Sequence, residues 1–141
     1  MTPHFSWPGV IAIFTMFLGV LAIPAWWYIE PAPLTVHEIW ADQETVAAGG
    51  ELSVSFYSTK TKQCPVTSQY ILIDSNQQIR VLAGLAGWNK NGAGEFTYFI
   101  PIPSDMPPGP ATFHEVITYS CNPIRDQIVT TPYVSFVVNS Q

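Results

Sequence analysis

Residues 51–58, Glu51-Leu52-Ser53-Val54-Ser55-Phe56-Tyr57-Ser58, place apolar side chains at every second position from Leu52 and small or polar ones between them. Period two is the signature of a strand with one face on a core and the other towards solvent. The same rhythm returns in Phe96, Tyr98 and Ile100, and again in Val134, Phe136 and Val138. Between such runs stand clusters that turn the chain: Ala48-Gly49-Gly50, Asp74-Ser75-Asn76, Asn91-Gly92 and Pro107-Pro108-Gly109-Pro110. Strands are expected at 35–40, 51–58, 70–74, 78–82, 94–102, 111–121 and 127–138. About seven short strands with no helical period among them predict an all-β domain over residues 35–141, a sandwich or small barrel.

Upstream the rhythm changes completely. Residues 7–29, WPGVIAIFTMFLGVLAIPAWWYI, hold no Asp, Glu, His, Lys or Arg. As a helix they would run about 35 Å, enough to cross a hydrocarbon core of about 30 Å. Trp7 at one end and Trp26, Trp27 and Tyr28 at the other suit the headgroup-level aromatic belts of a membrane-spanning helix. A signal peptide would bring a basic leading region and a shorter apolar run, both absent here, so the segment is expected to remain as an anchor. Residues 1–6 form the short tail before it, and 30–34, Glu30-Pro31-Ala32-Pro33-Leu34, read as a stiff proline spacer.

Charged residues are 11 % of the 141-residue chain and hydrophobic ones 48 %, a balance that points to membrane or buried surface rather than to an ordinary soluble domain. The five cations, Lys60, Lys62, Arg80, Lys90 and Arg125, are scattered in a chain of net charge −5. Nucleic-acid binding needs a basic patch and is not expected.

The stretch Val46-Ala47-Ala48-Gly49-Gly50-Glu51-Leu52-Ser53-Val54 resembles the opening of many bacterial immunoglobulin-like domains, where a glycine turn leads into the second strand. Pro108-Gly109-Pro110-Ala111-Thr112-Phe113, followed by Tyr119-Ser120-Cys121, is similar to the entry and body of their sixth strand. A tyrosine two residues before the second cysteine matches the tyrosine-corner spacing of that fold. The resemblance implies an immunoglobulin-like β-sandwich over most of 35–138. Cys64 lies after the second strand instead of within it, and Trp88 falls in a Gly/Asn-rich loop, so a strict antibody-type domain is not implied. Cys121-Asn122-Pro123 after an apolar N-terminus also resembles small membrane-anchored proteins encoded by phages.

Cys64 and Cys121 are the only cysteines and are expected to form a structural disulfide, since redox work would call for a close Cys-x-x-Cys pair. Such a bridge needs an oxidising compartment. That places the domain on the periplasmic, lumenal or extracellular side and the N-terminus in the cytoplasm. His37, His114 and Met106 are the residues from which a copper-handling site could be built, but their spacing supplies no ligand set, and no metal or other cofactor is expected. The acids Glu38, Asp42, Glu44, Glu51, Asp105, Glu115 and Asp126 form no recognisable catalytic pair, and no nucleophile or phosphate-loop motif occurs. Trp88, with Tyr98, Phe99 and Tyr133 as possible neighbours, is the candidate partner contact.

These readings converge on a non-catalytic accessory subunit, held in membrane lipid by one helix, whose β domain braces the extracytoplasmic side of a larger membrane protein complex. Small residues in the anchor, Gly9 and Gly19 among them, would allow close packing with other subunits. A phage or virion envelope component and a periplasmic copper-handling domain are the two alternatives.

Overall fold

The computed structural model describes residues 7–84 and 91–140. One helix, α1 (Trp7–Ile29), precedes nine strands among the described residues. These are β1 (Leu34–Ala41), β2 (Thr45–Ala47), β3 (Glu51–Lys60), β4 (Val66–Ile73), β5 (Ile79–Ala83), β6 (Gly92–Pro101), β7 (Gly109–Tyr119), β8 (Gln127–Thr130) and β9 (Val134–Asn139). The protein is therefore mainly β with a single N-terminal apolar helix.

α1 is long and apolar enough to cross a membrane, with a mean hydropathy of 2.1 over its most apolar window. Ile13, Phe14, Met16 and Phe17 are exposed, so the other described residues give them no cover. The hydroxyl of Thr15 donates to the carbonyls of Ile11 and Ala12 at 3.0 Å, so this polar group is satisfied within the helix itself. Pro24 sits inside the last two turns, where losing one backbone bond near the helix end is tolerated.

The strands form two sheets. One has the order β1-β3-β6 and the other β2-β9-β7-β4-β5, with β8 beside β7. All pairs are antiparallel except β2 with β9. The core lies between the sheets, where Leu52, Val54 and Ile100 of the first meet Leu72, Phe113, Phe136 and Val138 of the second. A second, smaller cluster of Leu34, Cys64, Ile117 and Tyr119 sits at the end nearest α1.

Three expectations are corrected. First, the strand count among the described residues is nine instead of about seven, because residues 127–138 are two strands instead of one and β2 is added. β8 and β9 lie in line along the same edge of β7, and Pro132 between them has no N–H to continue the ladder. Thr131 covers the break: its N–H donates to the Glu115 carbonyl at 2.9 Å while its hydroxyl accepts the Glu115 N–H at 2.8 Å. Second, β2 is a three-residue strand too short to show a period. Third, residues 30–34, read as a stiff proline spacer, are docked on the domain: Pro33 and Leu34 are buried, Leu34 already pairs with Lys60, and Glu30 is only 7 % exposed.

The strand ends follow from local chemistry. Gly109 enters β7 at φ 127°, a conformation reserved for glycine, and a side chain there would press on Ser75. The turn from β4 to β5 is held by buried Asp74, whose Oδ1 accepts the N–H groups of Asn76 and Gln78 at 2.9 and 3.0 Å.

Candidate interaction surface

In a strand, neighbours across the ladder share a face, so register decides which side chains look outward. On the six-stranded sheet the outward rows are Val81, Ile71 and His114; Ile79, Ile73, Thr112 and Ser135; Ala83, Gln69, Val116 and Thr130; Thr67, Thr118 and Ile128; and Pro110, Val137 and Thr45. Among these described residues there is no Asp, Glu, Lys or Arg. Several are strongly exposed, Ile79 at 67 % and Ile128 at 65 %, with Val81 and Val137 close behind. Tyr133 lies across His114 with ring centroids 4.4 Å apart, and this cover leaves His114 buried with its Nδ1 hydrogen-bonded to nothing among the described residues. Desolvation lowers the His114 pKa below its ordinary value, which keeps even this side chain neutral. Towards the end far from α1 the face dips into a groove of about 570 Å³ between Ile73, Thr112, Ser135 and Val137, with Glu44 at its margin.

The other sheet presents a different exterior. Its outward rows include Glu38, Tyr57 and Glu95, then Trp40, Ser55 and Thr97, then Ser53 and Phe99. Asp42, just past β1, accepts hydrogen bonds from Ser53 and from Ser55, the latter at 3.0 Å, and Ser55 shares a further bond with Thr97 at 2.8 Å. Carboxylates and hydroxyls here keep the aromatic side chains apart in a hydrated, acidic surface.

Polar groups also occupy the inter-sheet space nearest α1. Ser58, Lys60, Glu115, Gln127 and Thr131 are all buried. The Lys60 ammonium lies 5.2 Å from the centre of the Tyr119 ring and makes no hydrogen bond among the described residues; burial pushes its pKa down. Burial raises the pKa of Glu115, opposed by a hydrogen bond from Ser68. The Tyr119 hydroxyl is pushed up to about 12 by burial and by the negative charges of Glu115 and Tyr98. These groups show no arrangement of nucleophile, base and oxyanion donors. They read as a polar lining at the base of the domain.

The residues singled out from sequence fall in separate places. Cys64 and Cys121 lie at disulfide distance, with Cα atoms 4.9 Å apart. They continue the β4 to β7 register two steps past Val66 and Tyr119, beyond the Ser120 N–H to Pro65 carbonyl bond, so the pair links neighbours within one sheet. His37 sits at a bulge on the outer face of the three-stranded sheet, its Nε2 2.9 Å from the Thr59 hydroxyl; His114 faces outward from the opposite sheet; Met106 is in the core. Those three residues share no centre, and the described residues contain no group of three potential ligands. Tyr98 points inward, Phe99 outward from the three-stranded sheet, and Tyr133 outward from the other, so they form no common patch. Trp88 lies outside the described residues. Trp7 opens α1, and Trp26, Trp27 and Tyr28 occupy its last turn.

Sequence reasoning missed Ile79, Val81 and Ile128 as a surface. Their signal was the lack of any charge at outward positions, legible only once the register is known.

No family model matches the chain, and no curated protein is similar to it at a significant level. Among solved structures, the chain is similar to part of the alkylpurine DNA glycosylase AlkC of Pseudomonas fluorescens, at 14 % identity and a TM-score of 0.52, over 77 % of this chain and 31 % of the glycosylase. The sporulation control protein Spo0M of Bacillus subtilis is matched at 12 % identity and a TM-score of 0.42, over 79 % of this chain and 51 % of that one. The chain thus spans under a third of the glycosylase. At such identity the first likeness speaks to fold alone, and the second carries no argument.

Proposed function

We propose that this chain is a non-catalytic, membrane-anchored accessory subunit. α1 crosses the bilayer with its N-terminal side in the cytoplasm, and the β domain braces the extracytoplasmic side of a larger membrane protein assembly. On this reading the two packed sheets are an immunoglobulin-like sandwich whose disulfide has moved from between the sheets to within one of them. The extracytoplasmic placement is supported by the cysteine pair, which forms where thiols are oxidised.

The observation that carries the proposal is the uncharged outer face of the six-stranded sheet. A soluble, free-standing domain gains solubility from charges interspersed over its surface, and large apolar patches mark contact sites. Here the other outer face keeps its carboxylates while the outward strand rows of this one hold none, and the exposed Ile79, Val81, Ile128 and Val137 offer area to a protein partner. The core of an interface is depleted in charge in the same way.

The test is extraction of the native protein from its membrane in mild detergent, followed by size separation and identification of what travels with it. Co-migration with a defined large complex is expected. Val81→Glu combined with Ile128→Glu should release the subunit from that complex while leaving its circular dichroism unchanged. Wild-type protein that migrates alone as a small monomer would sink the proposal.

A further inference from the structure

Where α1 ends, the chain does not swing free but is clasped by the loop of residues 122–126, which follows the disulfide. The Asn122 amide donates to the Trp27 carbonyl and to the Glu30 carboxylate, both at 3.3 Å. Arg125 donates to the Glu30 carbonyl at 3.0 Å, and its guanidinium lies 5.1 Å from the centre of the Tyr28 ring. Gln127 donates to the same carbonyl at 2.8 Å, and Lys62 pairs with the Glu30 carboxylate. The loop is therefore fixed at the level of the last helical turn, the level at which Trp26, Trp27 and Tyr28 would meet lipid headgroups.

The loop is shaped for that level. Asn122 Oδ1 accepts the backbone N–H groups of Ile124 and Arg125 at 3.1 and 3.2 Å, which holds a tight tip. Ile124 at that tip is 46 % exposed although it has no polar group to present to water. Arg125 beside it is an amphipathic side chain of the kind that keeps its charge at the interface while its stem lies in apolar surroundings. Tyr28 and Ile29, on the helix itself, are exposed around the same point.

We infer that the 122–126 loop is a second membrane contact, with Ile124 seated in the interfacial layer of the bilayer and Arg125 at the headgroup phosphates. The occupant is lipid because the surface is continuous with the helix end, and among the described residues that helix is the one element long and apolar enough to cross a membrane. The inference rests on the reading that α1 crosses a bilayer. Its consequence is that helix and loop together set how the β domain stands on the membrane, which one helix with a flexible spacer could not do.

The test uses the full chain in phospholipid nanodiscs with its cysteine pair intact, carrying one spin label at a time through Ile124→Cys, Val20→Cys or Thr45→Cys. Collision with oxygen, which partitions into lipid, is compared with collision with a water-soluble nickel chelate. The label at 124 should meet nickel about threefold less than the label at 45 while remaining open to oxygen, as expected for a group held in the interface. If 124 matches 45 while 20 reads as deep in lipid, the anchor stands and the loop contact is wrong. If 124 is shielded from both probes, protein covers it and the lipid assignment fails. If 20 meets nickel freely, the spanning helix itself is wrong and the loop contact falls with it.

Discussion

Far from α1, the space between the sheets is filled by Leu52, Val54, Leu72, Ile100, Phe113 and Val138, all essentially without solvent contact. Next to α1 the same space holds Ser58, Lys60, Glu115, Gln127 and Thr131 around a smaller apolar cluster. β3 and β7 run through both regions, so one strand carries both characters: Leu52 and Val54 give way to Ser58 and Lys60 along β3, and Ala111 and Phe113 give way to Glu115 along β7. The difference teaches that the distal half holds the sheets together by burial alone. The proximal half relies on a covalent bridge and on the docking of Glu30. On β6, Phe96 shares the inward face with Tyr98 and Ile100 yet is 38 % exposed.

The largest expected effect comes from emptying the distal half. Phe113→Ala should cost about 4 kcal/mol of unfolding free energy, read from urea denaturation in detergent, because it removes a fully buried ring that packs edge-on against Tyr70. A loss under about 1 kcal/mol would mean that the distal core does not carry the fold.

Next comes the bridge. Replacing both cysteines, Cys64→Ser with Cys121→Ser, frees a loop with a sequence separation of 57 residues and should cost about 3 kcal/mol. Amide exchange should accelerate most at 64–66 and 117–121 and least around Leu52 and Leu72. Equal acceleration in both places would erase the distinction between the halves.

The smallest effect sharpens the comparison through pH. Burial raises the Glu115 pKa above its ordinary 4.5, so the folded state holds the proton more tightly than the unfolded chain. Stability linked to this group is complete below pH 4.5 and is lost as pH rises through the raised value. Glu115→Gln should therefore stabilise the protein by about 1 kcal/mol at pH 7, a gain that vanishes below about pH 4.5. A gain independent of pH would assign the effect to packing.

Much of this architecture was legible in the alternating runs. Leu52, Val54 and Phe56, and Val134, Phe136 and Val138, face the core as period two requires. The run Tyr70-Ile71-Leu72-Ile73 has no alternation, so nothing local said that Tyr70 and Leu72 turn inward while Ile71 and Ile73 join the uncharged outer face. That face was hidden for this reason: its residues come from several strands whose order appears only on pairing. The docking of 30–34 was hidden likewise, because three partners of Glu30, namely Asn122, Arg125 and Gln127, lie more than ninety residues away. The prolines alone could not distinguish a spacer from a clasped segment.

The place of β9 bears on the time the chain needs to become a domain. It lies between β2 and β7, and β2 pairs with β9 alone among the strands. Residues 45–47 must therefore wait for residue 139 to be made. At ordinary translation speed that interval is on the order of 5 to 20 s. Until then the distal core is unsealed, and from the time residues 109–119 are made the edge of β7 that will receive β9 stays open. On the proposed reading, a chain already tethered by its helix would wait out this interval beside the membrane, where holdases for unfinished sheets would have to act.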